Sequence, residues 1–99
     1  MTSELTALII LHFACANISA ERPLSAQEFH TCSAIYQEIK LAFVPDVDTQ
    51  RYIQMTAEDR ARVNREGFQQ FYRWRQDNPA TVDHLERVAR GEARWGDAT

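Results

Sequence analysis

The stretch ERPLSAQEF, residues 21–29, decides the fold, because one helix ends in it and another begins. Pro23 cannot continue a helix that precedes it. Ser25 is a favourable N-cap, and Glu28 follows three residues later, where it completes a capping box. The stretch therefore separates two predicted helices.

Upstream of this break, residues 3–19 predict a helix that is apolar nearly all the way round. A helix of that kind is buried on nearly all sides. A chain of 99 residues has few elements to cover it. The helix is therefore expected either at the centre of a bundle or at a contact between subunits, and the second option predicts a homo-oligomer through residues 3–19.

The segment LTALIILHFACANISA, residues 5–20, also has the apolar character of a secretory signal ending at Ala20. The preceding MTSE carries no positive charge, and Ile18 stands where a signal prefers a small residue. The segment is also shorter than the ~20 apolar residues that span a bilayer. We therefore expect a cytoplasmic protein without membrane association, with export after cleavage near Ala20 as the alternative.

The remaining chain predicts further helices and no pair of strands. Thr56 is a favourable N-cap, Asn78 and Pro79 fit the N-cap and first position of another helix, and Gly91 fits a C-cap. A short irregular or helical connector follows Pro45. The predicted helices span residues 3–19, 25–44, 56–76 and 79–90. The prediction is an all-α protein, with residues 1–99 forming a single domain of about four helices.

The stretch FQQFYRWRQ, residues 68–76, interleaves aromatic and basic side chains on the third predicted helix. Phe68, Phe71 and Tyr72 fall within about 100° of each other, which predicts that they face the core. Tryptophan and arginine at the edges of such stripes are typical of interface centres. The candidate partner interface comprises Trp74, Trp95, Arg73, Arg75 and Val63.

The charge balance argues against nonspecific nucleic-acid binding. The chain has 11 basic and 14 acidic residues and a net charge of −3, whereas such binding depends on neutralising phosphates. The alternative is an oligomeric nucleic-acid-binding regulator or packaging protein that uses the helices over 56–76 and 79–90. Its candidate contacts are Arg60, Arg62, Arg65, Arg73, Arg87 and Arg90.

No motif indicates catalysis, a cofactor or a metal. His12 and Cys15 together with His30 and Cys32 supply zinc-ligand types, but their spacing matches no standard site. The cysteines would be small buried residues in a reducing cytoplasm and could pair in an exported protein. Acidic residues of the connector, Asp46 and Asp48, are explained by turns and caps.

These observations favour a non-enzymatic protein that acts by protein–protein contact, as an adaptor, an inhibitor or an assembly factor. From its size and composition we expect the chain to be encoded by a bacterium, a phage or a mobile element. Ten arginines against one lysine suggest a GC-rich source. The sequence does not identify the partner.

Overall fold

The computed structural model describes residues 1–95, which are largely helical and contain no strand. The helices are α1 (Ser3–Glu21), α2 (Ala26–Ala42), α3 (Thr49–Ile53), α4 (Ala57–Asp77) and α5 (Pro79–Ala89). The predicted all-α bundle is confirmed. The four predicted helices correspond to α1, α2, α4 and α5, and the short α3 lies in the connector after Pro45.

The turn between α1 and α2 forms as its sequence predicts. Ser25 and Glu28 make a complete capping box: the Glu28 amide donates to Ser25 Oγ at 3.1 Å, and the Ser25 amide donates to Glu28 Oε1 at 2.8 Å. Arg22 also donates to both oxygens of Glu28, at 2.9 and 2.8 Å. These hydrogen bonds, that from Arg22 first, lower the pKa of Glu28 to about 2.

The junction between α4 and α5 differs in one respect from the prediction. Pro79 begins α5, but the side chain of Asn78 makes no capping hydrogen bond to it. Its Nδ2 donates instead to the carbonyl oxygen of Trp74 at 2.9 Å, so it ends α4 rather than caps α5. Gly91 follows α5 with a φ of 76°, the left-handed conformation that glycine adopts without strain.

The main hydrophobic core joins all four long helices. α1 packs between α2 and α5, and α2 also packs on α4. The buried residues of this core are Ile9, Phe13, Ile39, Phe71, Val82 and Leu85. Ile9, Ile39 and Leu85 are completely inaccessible to solvent. α1 is therefore part of the core.

The burial of α1 is less complete than the sequence predicts. Its fully buried residues are Thr6, Ile9 and Phe13. Leu11, on the opposite side, is 49% exposed. Within one chain, α2 and α5 leave the outer face of α1 uncovered, so α1 is not enclosed at the centre of the bundle, and the subunit contact stays a prediction.

A second core cluster lies where the end of α2, the connector and α4 meet. Leu41, Val44 and Val63 are buried there. Beside it, Gln37 of α2 donates to Asn64 Oδ1 at 2.8 Å, and Asn64 Nδ2 donates to the Tyr52 hydroxyl at 3.0 Å. Asn64 thus links α2, α3 and α4 by hydrogen bonds.

The closest approach of α2 and α4 is at Gly67. A Cβ atom at this position would lie 2.8 Å from the Lys40 carbonyl carbon and would overlap the carbonyl oxygen. Only glycine allows the two backbones to lie this close without displacement.

This contact determines which face of α4 is buried. Phe71 is 3% exposed, as predicted, but Phe68 and Tyr72 are 50% and 54% exposed. The prediction that all three face the core is wrong for Phe68 and Tyr72. The inward face carries Val63, Gly67, Phe71 and Trp74, and it is rotated by one residue, or ~100°, from the predicted stripe.

Within residues 1–95, α1 is the one helix with the length and apolar composition to cross a membrane. A signal sequence and a core helix both have these properties. Because α1 supplies Ile9 and Phe13 to the core, cleavage after Ala20 would remove part of the core described here.

Candidate partner-binding surface

The structure does not bring the five predicted interface residues together. Val63 is 5% exposed and belongs to the second core cluster, so this fold leaves little of its side chain accessible to a partner. Trp74 is partly buried, and its ring lies 6.1 Å from the rings of both Phe71 and Phe43. Trp74 therefore closes the edge of the main core.

The two arginines beside Trp74 have different surroundings. The guanidinium of Arg75 lies 5.2 Å from the centre of the Phe13 ring and 5.8 Å from that of Phe71. It is also 3.9 Å from a carboxylate oxygen of Glu86. Arg75 thus connects α1, α4 and α5, whereas Arg73 is exposed.

The last residue of the predicted interface, Trp95, lies apart from α4 in sequence and is exposed. The neighbouring Arg94 carbonyl lies 3.2 Å from Nε2 of His84 on α5. This contact places the segment before Trp95 against α5.

Exposed aromatic side chains occur instead at Phe68 and Tyr72, which we term the aromatic ridge. Their ring centres are 6.2 Å apart and the ring planes differ by 19°, so the rings stack one helical turn apart. The sequence identifies both residues but assigns them to the core. Both residues lie at the outer edge of two overlapping apolar stripes of α4. This position is the feature of the sequence that could have indicated exposure instead of burial.

The aromatic ridge continues into a groove of about 400 Å³ between α4 and α5, which we term the α4–α5 groove. Its lining residues are Tyr72, Arg75, Gln76, Pro79, Val82, Asp83 and Glu86. The ridge and the groove together combine aromatic area with charges of both signs.

A disulfide bond connects Cys15 of α1 with Cys32 of α2, with their Cα atoms 6.0 Å apart. Of the two states that the sequence leaves open, this structure has the paired one, and both residues are partly exposed. The bonded sulfurs are not thiolates, so they do not provide the zinc ligands considered with His12 and His30. Residues 1–95 contain no group of three metal-ligating side chains.

A second apolar groove lies over the disulfide, between α1 and α2, with a volume of about 270 Å³. Phe29, 64% exposed, forms one wall. His12 and Tyr36 line the groove, and their rings lie 4.8 Å apart at 15°. We term this surface the hairpin groove.

His12 is the one histidine in contact with the core aromatics among the described residues. Its ring centre is 5.7 Å from that of Phe71. Burial and then the positive charge of Arg75 lower the pKa of His12. Burial likewise raises the pKa of Tyr36. This environment favours a neutral imidazole, stacked on the Tyr36 ring and in edge contact with Phe71.

The candidate nucleic-acid contacts do not form one basic surface. Arg62 lies 3.0 Å from Asp59, Arg87 lies 3.9 Å from Asp83, and Arg90 lies 2.6 Å from Glu92. Arg60 is partly buried, while Arg65 and Arg73 are exposed. Nucleic-acid binding stays a prediction, with half of its residues paired to acids.

The connector carboxylates have structural surroundings. Asp48 caps α3 by accepting from the Arg51 amide at 2.8 Å. Asp46 adopts a φ of 64°, and its carbonyl oxygen accepts from the Arg51 side chain at 3.1 Å. Asp48 thus serves as the predicted cap.

Comparison with models of known protein families, with curated proteins and with solved structures found no match.

Proposed function

We propose that this chain is a non-enzymatic binding protein that contacts a protein partner through the aromatic ridge and the α4–α5 groove. The observation that supports this is the stacked Phe68–Tyr72 pair, half-exposed beside a core that is complete without it. Contiguous apolar patches on a protein surface generally mark interaction sites. An adaptor, an inhibitor or an assembly factor would each act in this way.

The composition of the surface also supports a protein partner. Aromatic residues and arginine are enriched at the centres of protein interfaces, and stacked rings lose little conformational freedom when they bind. Arg75, at the edge of the groove, is already held over two rings and by Glu86. A partner with an apolar anchor and a polar rim would fit this surface.

Site-specific cross-linking in the source cells would test the proposal. A photo-reactive phenylalanine analogue at position 68 or 72 is expected to capture the same protein, whereas one at Arg73 is not. Phe68→Ala with Tyr72→Ala should then weaken binding of that protein about 100-fold or more. Gln69→Ala is the matched exposed control. Equal capture from all three positions, or none, would contradict the proposed surface.

Self-association through residues 3–19 stays a separate prediction. The surface available for it is the outer face of α1, where Ala7, Leu11, Ala14 and Ile18 recur at the spacing of a helix–helix contact. Light scattering on the full chain, compared with Leu11→Asp, tests this. If both the wild-type chain and Leu11→Asp were monomers, the prediction of self-association would be wrong.

Localisation in the cytoplasm also stays a prediction. The disulfide bears on this prediction, because the role of such a bond depends on the compartment. Stable disulfides are typical of oxidising compartments, and those in the cytosol are usually catalytic or redox-sensing. We infer that, in a cytoplasmic protein, the bond would be of the redox-sensing type.

A further inference from the structure

The distal part of the α1–α2 hairpin, residues 14–34, lacks anchoring in the core. No side chain in this segment is buried, and none belongs to either core cluster. Phe13 is the last buried residue of α1 and Ile39 the first of α2. We call residues 14–34 the distal hairpin.

Grooves lie on both sides of the distal hairpin. On one side, a groove of about 620 Å³ lies between α1 and the end of α5, lined by residues such as Ala14, Ile18 and Ala89. On the other side is the hairpin groove, with Phe29 exposed. Neighbouring elements therefore give the distal hairpin little support.

Two features hold the helices of the distal hairpin together. At the turn, Arg22 pairs with Glu28, and both side chains are substantially exposed to solvent. Exposed ion pairs contribute little to stability. Away from the turn, the Cys15–Cys32 bond connects α1 directly to α2.

We propose that the Cys15–Cys32 disulfide is a redox-controlled clasp, which keeps the distal hairpin closed when oxidised and allows it to open when reduced. A thiolate of a dithiol reductant attacks one sulfur and forms a mixed disulfide, releasing the other cysteine as a thiolate. The second thiolate of the reductant then displaces the remaining cysteine. The two electrons come from the reductant, which becomes a disulfide, and protons from solvent complete the two cysteine thiols.

The location of the bond explains why opening is local. The covalent loop runs from residue 15 to residue 32, whereas the buried core residues of α1 and α2 lie outside it. Regions with few buried contacts open at lower free energy than the core. Reduction therefore allows the segments of α1 and α2 beside the bond to move apart, while the turn still joins them, and it exposes the apolar lining of the grooves, including Ile18 and Leu24.

Hydrogen exchange on the full chain tests the clasp. Reduction with dithiothreitol is expected to accelerate exchange of amides in residues 14–34 at least tenfold, while amides around Phe71 and Leu85 change less than twofold. A double variant, Cys15→Ser with Cys32→Ser, should match the reduced protein and not respond to dithiothreitol. Unchanged exchange on reduction, or equal acceleration in α4 and α5, would overturn the proposal.

A second variant separates the bond from the ion pair. Arg22→Ala keeps the disulfide, and its oxidised form should protect residues 14–34 within about twofold of the wild type. If the oxidised Arg22→Ala variant exchanged these amides as fast as the reduced wild type, the ion pair and not the disulfide would keep the distal hairpin closed.

Trapping free thiols with a maleimide in acid-quenched source cells then tests whether the redox state of the cell controls the Cys15–Cys32 bond. The oxidised fraction is expected to rise after a pulse of an azodicarboxamide oxidant such as diamide, which takes up the two electrons and two protons of the thiols, and to fall during recovery. A chain that is always oxidised or always reduced would overturn the switch.

Discussion

Gly67 shows at the scale of one residue how the fold depends on a missing side chain. Its lack of a Cβ allows α4 to lie against the carbonyl of Lys40. In the sequence, a glycine within a helix indicates only a local loss of helix propensity. The close approach could not be predicted from sequence, because it depends on where another backbone passes.

We predict that Gly67→Ala destabilises the protein by about 1–3 kcal/mol, because the added methyl group overlaps the α2 backbone. This loss exceeds the gain in helix propensity of at most ~1 kcal/mol. Urea denaturation measures the effect. Gln69→Ala, at an exposed position of the same helix, is the control and should change stability by about 0.5 kcal/mol or less. An increase in stability for Gly67→Ala would contradict the described contact.

His12 makes stability depend on pH. Because its pKa is lowered in the folded state, the unfolded chain binds the proton more readily. The stability that neutral His12 contributes is fully present above the ordinary pKa of about 6.5. It is lost as the pH falls through the lowered pKa of the folded state. We predict that His12→Phe weakens the loss of stability between pH 7.5 and pH 5, measured by urea denaturation. His30→Asn controls for removing an imidazole, and an unchanged His12→Phe profile would contradict the assignment.

At the scale of the helices, most ends could be predicted, but the buried face of α4 could not. Caps such as Ser25 and Thr56 act over three or four residues, so the local sequence is sufficient to predict where these helices begin. The rotation of α4 depends on the packing at Gly67. Two overlapping stripes of α4 contain apolar residues, and Phe71 fits both. The sequence alone does not distinguish these two faces, and it therefore predicts that the aromatic ridge faces the core.

The rotation of α4 predicts different effects for two neighbouring phenylalanines. Phe71→Ala should destabilise by about 3–5 kcal/mol, because the ring is buried among all four long helices. Phe68→Ala should cost less than about 1 kcal/mol, because half of its side chain is exposed. Thermal and urea denaturation of both variants give the comparison. Equal losses of stability in the two variants would contradict the described rotation and support the buried face predicted from the sequence.

At the scale of the whole molecule, composition and periodicity were sufficient for the all-α class. The disulfide was not predictable in the same way, since pairing requires the Cα atoms of Cys15 and Cys32 to approach. The sequence directs attention to α4, which also carries the proposed surface, but the burial of Val63 could not be predicted from it. Arg75 is near the proposed surface but is already occupied by contacts with two helices.

Removing α1 tests its structural role. We predict that a chain beginning at Glu21 is largely unfolded, because loss of Ile9 and Phe13 deprives the main core of two buried side chains, each contributing about 2–5 kcal/mol. Total stabilities of small domains are only about 5–15 kcal/mol. Circular dichroism and proton NMR measure the outcome. Leu11→Ala in the full chain should remain folded, while a native spectrum from the truncated chain would favour the exported alternative.

The packing of α1 against α5 has a consequence for synthesis on the ribosome. Ile9 and Leu85 share one core although they lie near opposite ends of the described chain. The apolar face of α1 emerges before α5, the helix that completes its burial. Until α5 has emerged, the nascent chain therefore presents unsatisfied apolar surface, a state in which chains are prone to aggregate and are bound by chaperones.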